Sequence, residues 1–324
     1  MSLNARQNLK YAGLKFIELI ATLFVVSFLT FAAFSIIPGD TARIMLGPDA
    51  SEVQVQQLRT ELGLDRPLAE RYVSWLKNAF KGDLGDSLSF GTPVSELISS
   101  RLAVTLGMSF IALIIVILVS FPMAAFCSRN PGNITDKTLS TAGHILFAIP
   151  PFALSMMLIL LFSKVFHIFT AGRYTAPGDN FGAYVVSLLL PSLCIALPKI
   201  AMTFKFLRAS MIEYSHSDFV RTAKSHGLTD LRIMLRHIIP NSAVSSITVI
   251  SLVLSDILGG SLIVEQVFNL PGLGRLLLSA ISRRDFPLLS GIVLYLAIIT
   301  VILYFLADIF AAVIDPRIRD RRAA

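Results

Sequence analysis

Six long apolar segments constrain the fold of this chain more than any other feature of its sequence. Their approximate limits are 16–37, 103–126, 140–166, 183–207, 242–266 and 288–313. Each is long enough to cross about 30 Å of hydrocarbon as a helix that rises roughly 1.5 Å per residue. Only 15% of the residues are charged, whereas soluble domains carry about 25%. The sequence therefore predicts an all-α polytopic membrane protein with six transmembrane helices.

Positively charged residues predict the orientation of these helices. Three Lys and Arg residues lie in 1–15, two in 127–139, six in 205–241 and four in 314–324, against four in the two short opposite loops. Because loops rich in Lys and Arg stay in the cytoplasm, both termini and the 205–241 region should be cytoplasmic. The first apolar segment is too long for a signal peptide and no cleavage site follows it, so it should be an uncleaved first span. The net charge of +7 then reflects topology, and no nucleic-acid partner is expected.

The loop after the first span, 38–102, should form a helical extracytoplasmic subdomain. It holds nine acidic and seven basic residues, and loops of this length cross a membrane largely regardless of charge. A helix-like stretch runs from Glu52 to about Leu62, and Pro67 at a first-turn position starts another over Leu68–Phe80. This subdomain either binds an external partner or covers the bundle. Residues 103–313 then form the core of spans two to six.

Prolines interrupt two of the predicted spans. The third contains Pro150 and Pro151, and the fourth contains Pro191 and Pro198. Proline removes a backbone donor and bends a helix, and the freed carbonyls must face protein or water instead of lipid. We expect both helices to be bent and to lie near a cavity. Pro150 and Pro151 are therefore candidates for the wall of a path through the membrane.

A long basic loop, 211–241, separates the fourth and fifth spans and should hold two short helices. Ser217 and Asp218 can cap the first helix, and Gly227 suits the position just past its end, where a positive φ is required. The second helix should end at Pro240, before the fifth span.

The first helix of this loop carries side chains that suit a groove on another protein. Phe219 and Val220 lie beside Arg221 and Lys224 in the sequence. The alternative is a solvated loop without a partner.

The spacing of this loop resembles the EAA loop of ABC-importer permeases, Glu-Ala-Ala-x3-Gly-x9-Ile-x-Leu-Pro. Ala223 lies four residues before Gly227, and Pro240 lies thirteen after it. Arg221 stands where the motif has its first Glu, and His237 stands where it has Ile. The form Arg-Thr-Ala-x3-Gly is typical of the dipeptide, oligopeptide and nickel subfamily. Further matches to that subfamily lie at 82–85, 93–94, 207–211, 259–260, 265–268, 271–274, 284–287 and 315–319.

The resemblance covers nearly the whole chain and is to the first permease of the pair, the one with a long outer loop. It implies the type I ABC importer permease fold and a place in the inner, cytoplasmic membrane. In this family a second, homologous permease, two cytoplasmic ABC ATPases and an extracytoplasmic solute-binding protein complete the importer. ATP and Mg would then be bound by the ATPases, and this chain would bind no cofactor or metal of its own.

The resemblance also implies which residues couple the chain to an ATPase. The matched positions are Asp218, Phe219, Val220, Arg221, Thr222, Ala223, Lys224 and Gly227. Arg221, Thr222, Ala223 and Lys224 would touch the ATPase, and Gly227 would make the turn behind the helix.

Two charged residues within the spans are candidates for the translocation path. Asp256 lies near the middle of the fifth span, where a carboxylate costs about 2.5–3.5 kcal/mol unless protein or water surrounds it. It either senses cationic groups in the path, together with its neighbour Ser255, or forms an ion pair or a helix cap with the partner permease. Lys199, just after Pro198, either snorkels toward the cytoplasm or lines an inner vestibule.

The turn after the fifth span offers a further candidate site. Glu265 precedes a loop that contains Pro271, Gly272 and Gly274. These residues either form an outer gate, or touch the binding protein, or simply shape a turn.

Transport of small peptides is the substrate class that the resemblance favours, with nickel or a metal chelate, glutathione or an oligosaccharide as alternatives. The chain has no Gly-x-x-x-x-Gly-Lys-Ser/Thr phosphate loop. Its histidines and cysteines show no metal-ligand spacing. An ATP-independent channel or secondary transporter is the rival class, although no internal repeat favours it. A membrane scaffold or receptor without transport activity is a third class.

Overall fold

The computed structural model describes residues 3–36, 41–47, 49–61, 63–169, 172 and 174–314. These residues are almost entirely helical, and among them the extended structure is an isolated antiparallel bridge between Asp86 and Pro93. Arg173 and the predicted C-terminal motif, 315–319, lie outside the described residues.

The helices of the first half of the chain begin with a long first span and three short helices in the outer loop. They are α1 Leu3–Ile36, α2 Thr41–Leu46, α3 Glu52–Glu61, α4 Leu68–Phe80, α5 Val94–Arg129, α6 Ile134–Ala148 and α7 Pro151–Ile159. A π-helical segment, Leu160–Val165, continues α7.

The second half contains the long basic loop and the last two spans. Its helices are α8 Phe181–Ser215, α9 Asp218–Ser225, α10 Asp230–Ile233, α11 Ile239–Ser245, α12 Ile247–Val267, α13 Leu273–Ser282 and α14 Phe286–Ile314. A π-helical segment, Met234–Ile238, joins α10 to α11.

Five described helices are long and apolar enough to cross a membrane, and a sixth candidate is the bent pair α6 and α7. The bend of 107° falls at Pro150 and Pro151, where the sequence predicts one. Residues that precede proline avoid the helical region, and Ile149 and Pro150 accordingly have ψ of 124° and 143°. Helix α8 runs as one helix through Pro191 and Pro198, and the bend expected in the fourth span stays a prediction.

The chain forms two compact units. The larger unit is built mainly on residues 104–274. Helix α8 lies at its centre and packs against α6, α7, α11 and α12. Its core contains the fully buried side chains of Met108, Leu188, Cys194 and Ile257, among others.

An ion pair joins α6 to α8 in this larger unit. Both nitrogens of the Arg208 fork donate to the Asp136 carboxylate, with Nη2 2.5 Å from Oδ2. Asp136 is buried and also accepts a bond from the Gly132 amide at 2.8 Å. The paired geometry satisfies a carboxylate that has left water, so it fixes the start of α6 to α8.

The smaller unit comprises residues 14–103 and 275–302. Here aromatic contacts attach α4 of the outer loop to α1. The ring of Tyr72 packs edge-on against Phe24 and Phe28 at 5.8 Å and 5.2 Å, and its hydroxyl lies 2.8 Å from that of Ser27. The outer loop therefore holds a folded helix, as the sequence predicts.

A buried carboxylate ties together two segments that the sequence marks separately. Asp285 accepts bonds from the Ser87 hydroxyl at 2.5 Å and the Ser89 amide at 3.0 Å. It also accepts a bond from the Leu288 amide at 3.2 Å, which caps the start of α14. Asp285 thus connects segments 82–94 and 284–287 by hydrogen bonds.

Helices α5 and α14 approach closely at Gly291. A Cβ on this glycine would overlap Cγ1 of Val94, and Ile98 and Leu84 lie within 3.5 Å of the same point. Valine is stiff about χ1 and cannot easily move aside.

We expect Gly291→Ala to lower the thermal unfolding midpoint of the purified chain in detergent, because the added methyl group separates the two helices. Gly259→Ala is the matched control, since apart from its chain neighbours and its own helix backbone no described heavy atom lies within 4 Å of its Cβ position. The control should gain the helix propensity of alanine, about 1 kcal/mol. Equal shifts for both variants would contradict the close packing at Gly291.

Candidate functional site

Helix α9 is attached to the rest of the larger unit by one face. Val220 and Ala223 are 4% and 8% exposed and belong to a buried apolar cluster, which we call the anchor cluster. Its other members are Ala124, Cys127, Phe204, Leu207, Met211, Ile233, Met234 and Ile238. The anchor cluster joins α9 to the ends of α5 and α8 and to the segment that leads toward α12.

The end of α9 explains why the motif alanine and glycine lie four residues apart. Gly227 has φ of +76°, and its amide donates to the Lys224 carbonyl at 2.9 Å. The Leu228 amide donates to the Ala223 carbonyl at 3.2 Å, and Leu228 packs on the anchor cluster beside Ala223. These bonds and this contact form a Schellman motif, in which glycine takes the left-handed position.

The opposite face of α9 is open and charged. The side chains of Asp218 and Arg221 are 97% and 81% exposed and lie 3.8 Å apart. Lys224 lies 3.2 Å from the exposed Asp230. Exposed pairs of this kind are worth about 0–1 kcal/mol, so their charges remain available to another surface.

Two aromatic neighbours accompany this charged face. The ring of Phe219 lies 6.3 Å from that of Tyr214 and 6.5 Å from that of His237. Phe219 stays partly exposed, and Thr222 is exposed beside it. The surface is therefore mixed, with an apolar ring next to basic groups.

Burial changes the role of two of the predicted coupling residues. Val220 and Ala223 face the anchor cluster, so the expected direct contact of Ala223 with another protein does not fit this structure. The sequence shows which residues form the helix but not which of its faces packs on the chain. The Ser217 side chain makes no capping bond to α9, although Ser217 does occupy the cap position.

Pro240 does not end the second helix of this loop, contrary to the sequence prediction. Thr229 caps α10, with its hydroxyl 3.4 Å from the Arg232 amide. The chain then passes through the π-helical segment and enters α11 with Pro240 in the first turn. A proline is tolerated there because the first-turn amides of a helix need no partner, and the wider π turn before it relieves the clash.

Within the spans, Lys199 of α8 and Asp256 of α12 form an ion pair. The Lys199 ammonium donates to Oδ2 of Asp256 at 2.8 Å. The Lys199 side chain is 18% exposed and that of Asp256 is 55% exposed. Lys199 therefore points to α12 and does not snorkel away, and the counter-ion of Asp256 comes from its own chain. The neighbouring Ser255 hydroxyl is buried and has no hydrogen-bond partner among the described residues.

Asp256 lies on an exposed stripe of α12. The exposed residues follow helical spacing and are Leu252, Asp256, Gly259, Ile263 and Gln266. A charged and an amide side chain on one face of a transmembrane helix should not face lipid. The stripe must therefore be covered by another protein surface or by water.

Glu265 holds the turn that follows α12. It is fully buried and accepts bonds from the Thr105 hydroxyl and the Gly274 amide, both at 2.6 Å. The Thr105 oxygen in turn accepts a bond from the Leu273 amide at 3.0 Å. A Cβ at Gly272 would collide with the Glu265 carboxylate. Glycine is needed because the backbone wraps closely around this acid.

These contacts favour the structural alternative for the Glu265 turn. Gly272 and Gly274 are buried with Glu265, and Pro271 is only partly exposed. Direct contact of Glu265, Gly272 or Gly274 with an external protein does not fit this burial.

Sequence reasoning missed several residues that the structure brings together. The sequence patterns do not predict that Asp136 pairs with Arg208 or that Thr105 bonds to Glu265. They also do not predict that Asp285 bonds to Ser87. Arg208 and Asp285 lie within matched motifs, at 207–211 and 284–287, which was the available signal. No described group of three or more His, Cys, Asp or Glu residues is placed to hold a metal ion.

Comparison with known families agrees with this architecture. Residues 117–320 match the family described as binding-protein-dependent transport system inner membrane component. Residues 9–109 match the N-terminal region described for the membrane component of the same transport systems.

Two relatives show similarity over nearly the whole chain. A protein of Brucella abortus (strain 2308) that carries the name of a peptide transport system permease protein is 34% identical over 302 residues, which cover 93% of this chain and 96% of the relative. The glutathione transport system permease protein GsiC of Escherichia coli (strain K12) is 33% identical over 317 residues, which cover 96% and 99%.

A chain of the inward-facing MetNI methionine ABC transporter is similar in structure, with a TM-score of 0.54 and 18% sequence identity. The match covers 68% of this chain and 96% of that chain. The similarity shows a shared type I ABC permease fold.

Thr105 supports the turn at Glu265 through two hydrogen bonds. Thr105→Val keeps the shape of the side chain but removes one donor to Glu265 and the acceptor for the Leu273 amide. We expect a loss of about 2 kcal/mol in unfolding free energy, because buried polar groups lose their partners. Chemical unfolding in detergent measures it. Thr105→Ser keeps the hydroxyl and should lose much less, and equal losses for both variants would contradict the hydrogen-bond network.

Proposed function

Because this chain belongs to the family of inner-membrane components of binding-protein-dependent transport systems, we propose that it forms half of the translocation path of an ATP-driven importer of small peptides. The observation that carries the proposal is the division of α9 into two faces. One face is fixed to the spans by the anchor cluster, and the other is exposed, basic and partly aromatic. Such a helix can transmit a push or pull from a docked protein to the membrane.

The proposed importer contains this chain, a second homologous permease, two cytoplasmic ABC ATPases and an extracytoplasmic solute-binding protein. ATP and Mg bind to the ATPases, and this chain is a permease subunit without an ATPase site or cofactor of its own. Both termini and α9 face the cytoplasm, because Lys and Arg concentrate in the termini and in the loops on that side. The 38–102 loop therefore faces outward.

Movement of α9 has a defined route into the spans. The docking residues are Asp218, Phe219, Arg221, Thr222 and Lys224, while Val220, Ala223 and Gly227 fix the helix and its end. Because the anchor cluster is close-packed, displacement of α9 carries the ends of α5 and α8 with it. Helix α8 packs along α12, so the exposed stripe at Asp256 moves relative to the surface that covers it. Closure of the ATPase dimer thus alternates access to the path.

The path is lined in part by α12 and by the bend between α6 and α7. Asp256 and Lys199 supply its charge, Ser255 lies beside them, and Pro150 and Pro151 leave backbone carbonyls without helical donors. A carboxylate that is 55% exposed within a span requires a polar surrounding, which a hydrated path provides.

Small peptides are the favoured cargo because one relative is named for peptide transport and another for glutathione, which is itself a tripeptide. Glutathione is the second candidate for the same reason. Nickel, metal chelates or oligosaccharides would use the same architecture with a different binding protein. A requirement for ATP and for the ATPase subunits separates all of these from a channel or secondary transporter.

We expect the double variant Arg221→Glu/Lys224→Glu to weaken both the stimulation of the ATPases and transport, because it weakens docking of the ATPase on α9. The chain is co-expressed with its genomic neighbours, purified as a complex, and assayed for ATPase stimulation by loaded binding protein and for uptake into proteoliposomes. Reversal of both charges on the exposed face of α9 should reduce both activities at least tenfold, since one lost charged contact of about 1.4 kcal/mol already gives a factor of ten.

Arg129→Glu/Lys137→Glu is the matched control, because both residues are exposed and the change in net charge is the same. This control should keep its coupling. Full coupling in the α9 variant, or equal losses in both variants, would refute the docking surface. Uptake without ATP would favour a channel or secondary transporter.

A further inference from the structure

The Lys199–Asp256 pair is asymmetric in a way that a purely structural ion pair does not need. Lys199 is mostly buried and bonds to Oδ2, while the Asp256 side chain is 55% exposed. Lys199 bonds to Oδ2, and no described residue donates to Oδ1, so the half-exposed carboxylate keeps an oxygen that can accept a further donor. Lys199 is therefore a counter-ion behind the carboxylate, and the open side can accept a second cation.

We propose that this pair is a binding site for the ammonium group of a lysine side chain in the transported peptide. The inference rests on the proposed function and specifies its substrate chemistry. The Lys199 ammonium already occupies one oxygen of Asp256, which shows that the geometry at this carboxylate suits that group. The substrate ammonium binds at Oδ1 and shares the carboxylate with Lys199.

The surroundings of Asp256 leave room for such a ligand. Gly259 lies one helical turn further along the same stripe, and apart from its chain neighbours and its own helix backbone no described heavy atom lies within 4 Å of where its side chain would begin. The flanking Leu252 and Ile263 are exposed and apolar. A cation with a short apolar stem can therefore lie along the stripe with its charge at Asp256.

The internal counter-ion also suits a transport path. A path site has to bind its cargo well enough to admit it and weakly enough to release it. A bare carboxylate at this depth would hold an ammonium group tightly, because charges interact strongly away from water. Lys199 neutralises most of that attraction, so the site favours cations over anions without trapping them.

A charge swap separates this site from a structural ion pair. The complete importer is assembled in proteoliposomes with wild-type chain, with Asp256→Asn, and with the double variant Lys199→Asp/Asp256→Lys. ATP-dependent uptake is measured for Ala-Lys-Ala and Ala-Glu-Ala. The same binding protein delivers both tripeptides in every assay, so a change in their uptake ratio between variants reports on the permease alone. Co-purification of all subunits and the thermal unfolding midpoint report on assembly.

Asp256→Asn leaves Lys199 without its counter-ion, so we expect it to lower assembly and stability, whereas the swap restores an ion pair and should restore both. It should not restore the preference for Ala-Lys-Ala, and the uptake ratio of Ala-Lys-Ala to Ala-Glu-Ala should fall about tenfold in both variants relative to wild type. The exposed position then carries no charge or a positive one.

A swap variant that recovers the wild-type uptake ratio together with assembly would overturn the inference, since the pair would then act only as a structural or subunit contact. An unchanged ratio in Asp256→Asn would overturn it as well. In both cases ATP-dependent uptake by the wild-type importer still supports the proposed function. Uptake by the wild-type importer in the absence of ATP would instead overturn the proposed function, and this inference with it.

Discussion

A buried carboxylate needs hydrogen-bond or ionic partners, and this requirement determines how several segments of the structure are connected. Asp136 takes the Arg208 fork, Glu265 takes the Thr105 hydroxyl and a backbone amide, and Asp285 takes a serine hydroxyl and two amides. In each case at least one partner comes from a segment that is far away in the chain. The acids therefore act as joints between elements, because the cost of a buried unpaired charge makes separation of those elements unfavourable.

Asp256 differs from these three buried carboxylates in its exposure. It too has a partner, Lys199, but its side chain is half-exposed where the other acids are closed in. A fully enclosed pair has a structural role alone, whereas an open one can exchange its contacts. The contrast within one chain is the physical reason to separate structural joints from a site that meets cargo.

The anchor cluster plays the corresponding role for α9. Val220 and Ala223 bury one face, and the Schellman motif at Gly227 fixes the end of the helix, so the orientation of the exposed face is determined. Apolar packing resists compression and transmits displacement, while the exposed charges are only weakly paired and free to bind elsewhere. A short amphipathic helix of this kind is well suited to link a soluble motor to membrane helices, as the proposed function requires.

Local sequence patterns were enough to predict the helical class, the apolar segments, the bend at Pro150 and Pro151, and the short helix before Gly227. These features depend on local chemistry: hydrophobic length, the missing proline amide, and the tolerance of glycine for positive φ. The resemblance of the motifs also led to the correct family. Tertiary structure alone decided that Ala223 faces inward, that Pro240 continues a helix, that Glu265 shapes a turn, and that Lys199 pairs with Asp256. Those outcomes depend on which residues meet from distant positions along the chain, and no local pattern specifies the partner of a buried charge.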